Sequence, residues 1–269
     1  MLLGHDHTIF LVADPEGLDA AARRFADAGF LITERDDEGK DKAPTVQKLV
    51  CFADGSYIEI MTIRDPAARA RHRFAHLLPL GNGWADYSIC TDALDADRAR
   101  LAAAGLPVSA PHDHTKRLTD GRPWGVRLVL AGIGAGHPAL PFLLEDTVGR
   151  DLRIPRARTA HPNGIVGTLG VTVAVRSLAE VKPQFAALFG PGRPAAGVPQ
   201  GAPPVERYVL GRQRIDVAEA GEPGSALGRA VARRGEGLAS VTFARPGAGA
   251  LKPLDLDLGA QAAAFVAEA

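Results

Sequence analysis

Residues 18–30 read LDAAARRFADAGF, residues 94–106 read LDADRARLAAAGL, and residues 178–190 read LAEVKPQFAALFG. The chain writes one pattern three times, with starts 76 and 84 residues apart. Each copy follows a short run of β-branched and apolar residues, at 7–13, 85–91 and 169–175. Self-similarity at such a period marks one supersecondary unit used repeatedly, and it constrains the fold more than any local motif. Positions that differ between copies are where function is expected.

Within unit one, Leu18, Ala21, Ala22 and Phe25 stand at i, i+3, i+4 and i+7, the apolar stripe of a helix. Gly29 follows where a helix end favours positive φ. Segments 45–52 and 57–63 read as a hairpin with Asp54-Gly55 in its turn. A second helix is expected over 66–78. Unit two repeats the order with strand 85–91, helix 94–104, a loop at 109–123, and strands 125–131 and 141–146. Unit three has strand 168–175, helix 178–189 and strands 207–210 and 213–218. Helix 226–234 and strand 238–244 open an eroded fourth copy, and 258–267 reads as a short closing helix.

The expected fold is therefore α+β, built of repeated βαβββ modules. Each unit has an apolar sheet face that it cannot bury alone, so units must pair. Two modules pair into a cup, with a third and the eroded fourth beside them. The Arg/Pro-rich stretch 149–162 is the natural linker between a first domain at 1–148 and a second at 163–269.

Lys+Arg and Asp+Glu both number 31, so no net field attracts nucleic acid or an acidic membrane. Cys51 and Cys90 lie inside apolar runs, which suits buried thiols in a reducing cytoplasm. No apolar run has the length of a membrane span, and no signal-peptide pattern opens the sequence. The expected partner is a small molecule, and an oligomer of identical chains is compatible with the sequence.

Several polar residues interrupt apolar strands. Glu59 stands between Ile58 and Ile60, and an inward carboxylate there is costly unless it is paired or used. Alternation places Tyr57, Glu59 and Met61 on one face, the expected cup side. Arg127 between Val126 and Leu128 either pairs with Glu59 or Glu145 or offers a fork to an anionic ligand. Trp124 begins that strand as a candidate cup residue. The segment 112–117, HDHTKR, reads as a solvated loop whose Arg117 could close over an anion. His161-Pro162-Asn163-Gly164 specifies a fixed turn that locks the linker onto the first units, with His161 also a candidate pocket residue. The basic run 64–73 reads as the solvated face of a helix, and His5, His72 and His76 as surface.

The stretch Asp6-His7-Thr8-Ile9-Phe10-Leu11-Val12-Ala13-Asp14, with Tyr57-Ile58-Glu59-Ile60 and Arg234-Gly235-Glu236-Gly237-Leu238, resembles vicinal-oxygen-chelate modules of the glyoxalase/dioxygenase type. Together with Leu140–Glu145 and His161–Gly164, the layout resembles the glyoxalase-like domain proteins. The resemblance implies a metal held by one residue on each module's first strand and a carboxylate on its last. Aligning the copies on Asp14, Asp92 and Arg176 sets His7 against Ala85 and Leu169. The last strands offer Glu59, Glu145 and Asp216. His7 and Glu59 thus form an incomplete metal pair, and a third ligand would have to come from His5, His114, His137, His161 or Glu145. The resemblance implies lyase or isomerase chemistry by proton abstraction next to a carbonyl, with Glu59 as base and His7 as its partner. A protein that sequesters a metabolite, a metal-dependent dioxygenase and a structural protein without ligand are the alternatives.

Overall fold

The computed structural model describes residues 1–134, 136–196, 201–258 and 263–268. Unit one comprises β1 (Leu2–Leu11), α1 (Leu18–Asp27), β2 (Thr45–Cys51) and β3 (Tyr57–Ile63), and leads through α2 (Pro66–Arg71) to the next. Unit two comprises β4 (Gly83–Thr91), α3 (Leu94–Ala103), β5 (His112–Arg117), β6 (Pro123–Leu130) and β7 (Phe142–Val148), followed by α4 (Arg150–Arg153). Unit three comprises β8 (Gly167–Val175), α5 (Leu178–Phe189), β9 (Arg193–Pro194), β10 (Val205–Leu210) and β11 (Gln213–Glu219), followed by α6 (Ala226–Arg234). The fourth keeps β12 (Gly237–Ala244), β13 (Lys252–Leu254) and β14 (Ala264–Ala267).

These strands make two curled seven-stranded sheets, ordered β2-β3-β1-β4-β7-β6-β5 and β13-β14-β12-β8-β11-β10-β9. In each, the first strands of two units pair antiparallel, and each unit's last strand runs parallel to its first. Three expectations need correction: the helix expected over 66–78 is α-helical only over Pro66–Arg71, with a 3-10 turn at Ala75–Leu80. The stretch 109–123 is not only loop, because 112–117 forms edge strand β5 on β6. The expected closing helix at 258–267 is instead strand where it is described, with 259–262 outside the described residues: Ala264–Ala267 lies parallel to β12. The fourth unit has thus lost its helix and kept a reduced hairpin.

The main core lies on the helix-bearing faces. Leu18, Ala21, Ala22 and Phe25 of α1 are all buried there, beside Phe10, Trp84, Val171, Phe185 and Phe243 from both sheets. The sheets are also tied by polar bonds: Trp84 Nε1 donates to Ala263 O at 3.0 Å, and Arg234 donates to Trp84 O and Gly81 O at 2.9 and 2.8 Å. No helix among the described residues is long and apolar enough to cross a membrane.

The turn at 161–164 docks on the end of α1. His161 Nδ1 accepts from Leu31 N–H at 2.9 Å, which leaves Nε2–H to donate to Cys51 O at 3.1 Å. Asn163 Nδ2 donates to Ala28 O at 2.9 Å. Gly29 has φ +85°, and a Cβ there would stand 2.9 Å from that of Asn163. Gly29→Ala should therefore cost about 1–2 kcal/mol in urea denaturation, from strained backbone and the displaced turn. An unchanged midpoint would show that the turn does not need this close approach.

One irregularity recurs in every first strand. Asp6 is an extra residue in the β1–β4 ladder, between the pairs His5↔Ile89 and His7↔Ser88, and Ala85 is the extra residue on β4. Leu169 and Ala239 are the corresponding extras in β8 and β12. A bulge lets two successive side chains emerge on the same side of a strand. Matched at these bulges, Asp6 corresponds to Ala85, Leu169 and Ala239, while His7 corresponds to Asp86, Gly170 and Ser240. The sequence alignment of His7 with Ala85 and Leu169 is thus off by one, because the strand-to-helix loops differ in length between units.

Candidate active site in the first sheet

The concave face of the first sheet holds a cavity of about 250 Å³. Its apolar floor consists of Ile9, Met61, Val126, Phe142 and Leu144. Arg35, Arg73, Lys116 and Arg153 stand around it, against Glu59 as the only carboxylate among its lining residues. The volume suits a small metabolite and the charge suits an anion.

His7 is at the centre. Its ring is 3% exposed, stacks on Tyr57 at 4.4 Å and meets the edge of Phe142 at 5.3 Å. Nδ1 lies 2.8 Å from Asp6 Oδ2 and 2.7 Å from Ser88 Oγ, while Nε2 faces Glu59 Oε2 at 3.6 Å. The β1 bulge makes this possible, because in a regular strand Asp6 would point away from His7.

Asp6 is fully buried. Burial works against its charge, yet Arg153 and the hydrogen bonds from His7 and Arg153 hold its carboxyl well below the usual carboxylate range. An ionised Asp6 can only accept, so Nδ1 of His7 carries the proton and Nε2 is the bare nitrogen turned towards Glu59. Arg153 donates to both Asp6 oxygens at 2.9 and 3.0 Å and to Asp146 and the Tyr57 hydroxyl. Burial pushes the Tyr57 phenol up, so it stays protonated. Arg150 bonds Asp6 and Asp146 as well. Asp6, Cys90 and Asp146 form the one cluster among the described residues with three metal-type donor atoms mutually within 4.8 Å. Its two carboxylates are already neutralised by two guanidiniums, and burial pushes the Cys90 thiol up to about 12, which makes it a poor ligand.

Of the residues singled out in the sequence, His7, Glu59, Tyr57 and Trp124 line the cavity. Trp124 is held there by its Nε1–H, which donates to Asp37 at 2.7 Å, and by Arg35 stacked 4.4 Å over its ring. Four others lie elsewhere. Arg127 sits on the opposite face of β6, paired with Asp95 at 2.9 Å and Asp113 at 3.1 Å. Glu145, across from it in the ladder, also faces away from the cavity. Arg117 is exposed and bonds Gly121 O at 3.0 Å. His161 lies in the turn described above, outside this cavity.

Conversely, residues assigned to surface or loop belong here. His72 and Arg73, at the end of the supposed solvated run, line the cavity, as do His112, His114 and Lys116 of β5. Burial, with Arg73 adding, lowers the affinity of His72 for protons; burial and Lys116 do the same for His114. His5 is 4% exposed, buried rather than at the surface.

The sequence profile of the glyoxalase-like domain matches residues 5–189. The chain belongs to the glyoxalase-like domain family. No curated protein matches it significantly. Solved structures agree in fold. A hypothetical protein from Staphylococcus aureus superposes with TM-score 0.70 at 12% identity, covering 98% of this chain and 99% of that one. A variant of 4-hydroxymandelate synthase from Streptomyces coelicolor gives 0.60 at 15% identity, over 91% and 72%. A xylose isomerase-like TIM barrel/4-hydroxyphenylpyruvate dioxygenase fusion protein gives 0.56 at 14% identity, over 91% of this chain and 37% of that one. At such identities the likeness is one of fold.

For a glyoxalase-like protein the ladder registers define where a metal's ligands should stand. Glu59 pairs with Ile9 on β1, and its counterpart opposite Ser88 on β7 is Phe142. The four positions are therefore His7, Glu59, Asp86 and Phe142. His7 and Glu59 could share an ion. Asp86, however, is ion-paired with Arg73, and the fourth position offers only carbon. A divalent ion needs three or four N/O donors, and this set does not supply them. In the second sheet the same four positions are Gly170, Asp216, Ser240 and Phe265. Asp216 is held there by Arg207 at 2.6 and 2.8 Å and by Arg214 at 3.4 Å.

Proposed function

We propose that this glyoxalase-like protein binds a small, oxygen-rich carboxylate in the first cup and moves a proton next to its carbonyl, as a lyase or isomerase, without a tightly held metal. The observation that carries the reading is the Asp6–His7–Glu59 line. Asp6 fixes the His7 tautomer, so Nε2 and Glu59 Oε2 are left facing each other at 3.6 Å in a pocket lined with cations. Glu59 takes the proton from the carbon acid at Oε2. The unprotonated His7 Nε2 accepts that proton across the 3.6 Å gap and returns it to the neighbouring oxygen, and the apolar floor keeps water from quenching the carbanion. The surrounding guanidiniums favour the charge that develops on oxygen.

Incubation with a panel of 2-oxo and 2-hydroxy carboxylic acids in D2O, followed by proton NMR, tests this. Deuterium should enter the carbon next to the carbonyl of at least one member. Glu59→Gln should slow that exchange by roughly 10²–10⁴-fold while ligand-induced thermal stabilisation persists. Saturable binding by wild type with no exchange and no product would overturn the reading in favour of a sequestering protein. Restoration of activity only by added Fe, Mn or Zn would overturn it in favour of metal-dependent chemistry.

A further inference from the structure

The disagreement between the fold's metal positions and the side chains occupying them has a positive counterpart. The Arg73 guanidinium pairs with Asp86, the equivalent of His7 across the pseudo-two-fold. It lies 4.2 Å over the Phe74 ring and 4.9 Å over Phe142, the equivalent of Glu59. One chain-borne cation therefore covers both positions that unit two would have given to a metal. We propose that Arg73 is the receptor for the substrate's carboxylate in this cup, standing where a metal would otherwise gather the ligand's two oxygens. The inference rests on the functional reading above and adds to it the recognition element and the ligand class: a carboxylate with a second oxygen on the adjacent carbon.

The competing cations are committed. Arg153 is saturated by Asp6, Asp146 and Tyr57. Arg35 donates to Arg153 O at 2.9 Å and lies 3.4 Å from Asp37, which Lys116 approaches at 3.6 Å. Arg73, by contrast, makes one hydrogen bond to protein among the described residues, through Nη1 to Asp86. Its Nε–Nη2 edge has no protein acceptor there, and the side chain remains 35% exposed. That edge presents two parallel N–H groups, the fork that matches a carboxylate in bidentate fashion. Two aromatic faces and one carboxylate fix its orientation before any ligand arrives, which reduces the ordering cost of binding. Phe142 touches both Arg73 and the His7 ring. A carboxylate on Arg73 would thus set the adjacent carbon over the apolar floor on the side of His7 and Glu59.

Titration calorimetry with oxalate and with pyruvate, both in EDTA, tests the assignment. Wild type should bind oxalate saturably, with affinity falling as salt rises and unchanged by EDTA. Arg73→Met, which keeps the apolar stem against the two rings, should weaken oxalate at least about tenfold. Arg73→Lys keeps the charge without the fork and should fall between. Thermal melts of both variants verify folding, and the lysine variant carries the test if the methionine variant misfolds. Equal oxalate affinity in wild type and either folded variant would overturn the inference, as would no saturable oxalate or pyruvate binding by wild type, or binding that needs Mn²⁺ or Zn²⁺ and vanishes in EDTA. The two readings fail separately. Arg73-dependent binding without Glu59-dependent exchange removes only the catalytic reading; exchange that survives Arg73→Met with unaltered affinity removes only this one.

Discussion

Replacing Arg153 with methionine should lower the unfolding free energy by about 3 kcal/mol, the low end of the range for removing one partner from a buried ion pair. Arg153 is 2% exposed and contributes to bonds with Asp6, Asp146 and Tyr57. Burial disfavours its charge, but Asp6 and Tyr57 beside it raise its proton affinity well above the ordinary value. Without it, the fully buried Asp6 retains Arg150 and His7 as charged or polar partners, which is why the loss sits at the low end. The melting temperature should drop by roughly 6–12 °C. Adding Asp6→Asn to Arg153→Met should cost less than the two single losses combined, since the same contact is removed twice. Urea denaturation of the four proteins gives that coupling. A single-variant loss under about 1 kcal/mol would mean that the cluster behaves as a surface pair.

Acidification from pH 6.5 to pH 4 should destabilise the protein, and His5 should account for about 3 kcal/mol of the loss. Burial pushes His5 down to about 4, Asp6 opposes this and His7 adds to it. Neither ring nitrogen has a hydrogen-bond partner among the described residues. The sign follows from proton uptake. Between the two pKa values the unfolded chain binds a proton that the folded chain refuses, so stability falls as pH drops through 6.5 and levels off near 4. His72, His114 and His161 are also lowered by burial and add to the wild-type slope. His5→Leu isolates the one contribution. Its stability should match wild type within about 1 kcal/mol at pH 7.5 and exceed it near pH 4.5. Parallel pH profiles for the two proteins would contradict the burial account.

The repeat made the architecture legible, because helix stripes and turn residues are local signals that tertiary context reinforced. The hairpin 45–52/57–63 and helix 178–189 fall within a residue of β2, β3 and α5. The cup was legible only in part. Glu59 and Tyr57 follow from alternation along β3 and His7 from the family resemblance, and alternation sets Arg127 on the opposite face of β6 from Trp124. Trp124 and Arg127 have opposite parity on one strand and cannot both face the cavity. Two things were not legible. A bulge adds one residue without any compositional mark, which hid Asp6 as the partner of His7, and the unequal strand-to-helix loops set His7 against Ala85 instead of Asp86. Charged residues in polar runs read as solvated, and Arg73 and Arg153 reach their sites only through turns that bring 72–74 and 150–153 back onto the sheet.

The four matched last-strand positions read Glu59, Phe142, Asp216 and Phe265 along the chain. Acid and phenylalanine alternate. Had four identical units diverged independently, no such alternation would be expected; it is what results if an unlike pair was copied whole. The pattern therefore repeats by pairs of units, and each sheet carries its acid on one side only. In the first sheet that asymmetry sets the cavity's acid, Glu59, against Phe142 at the matched position, whereas in the second the acid is tied to Arg207.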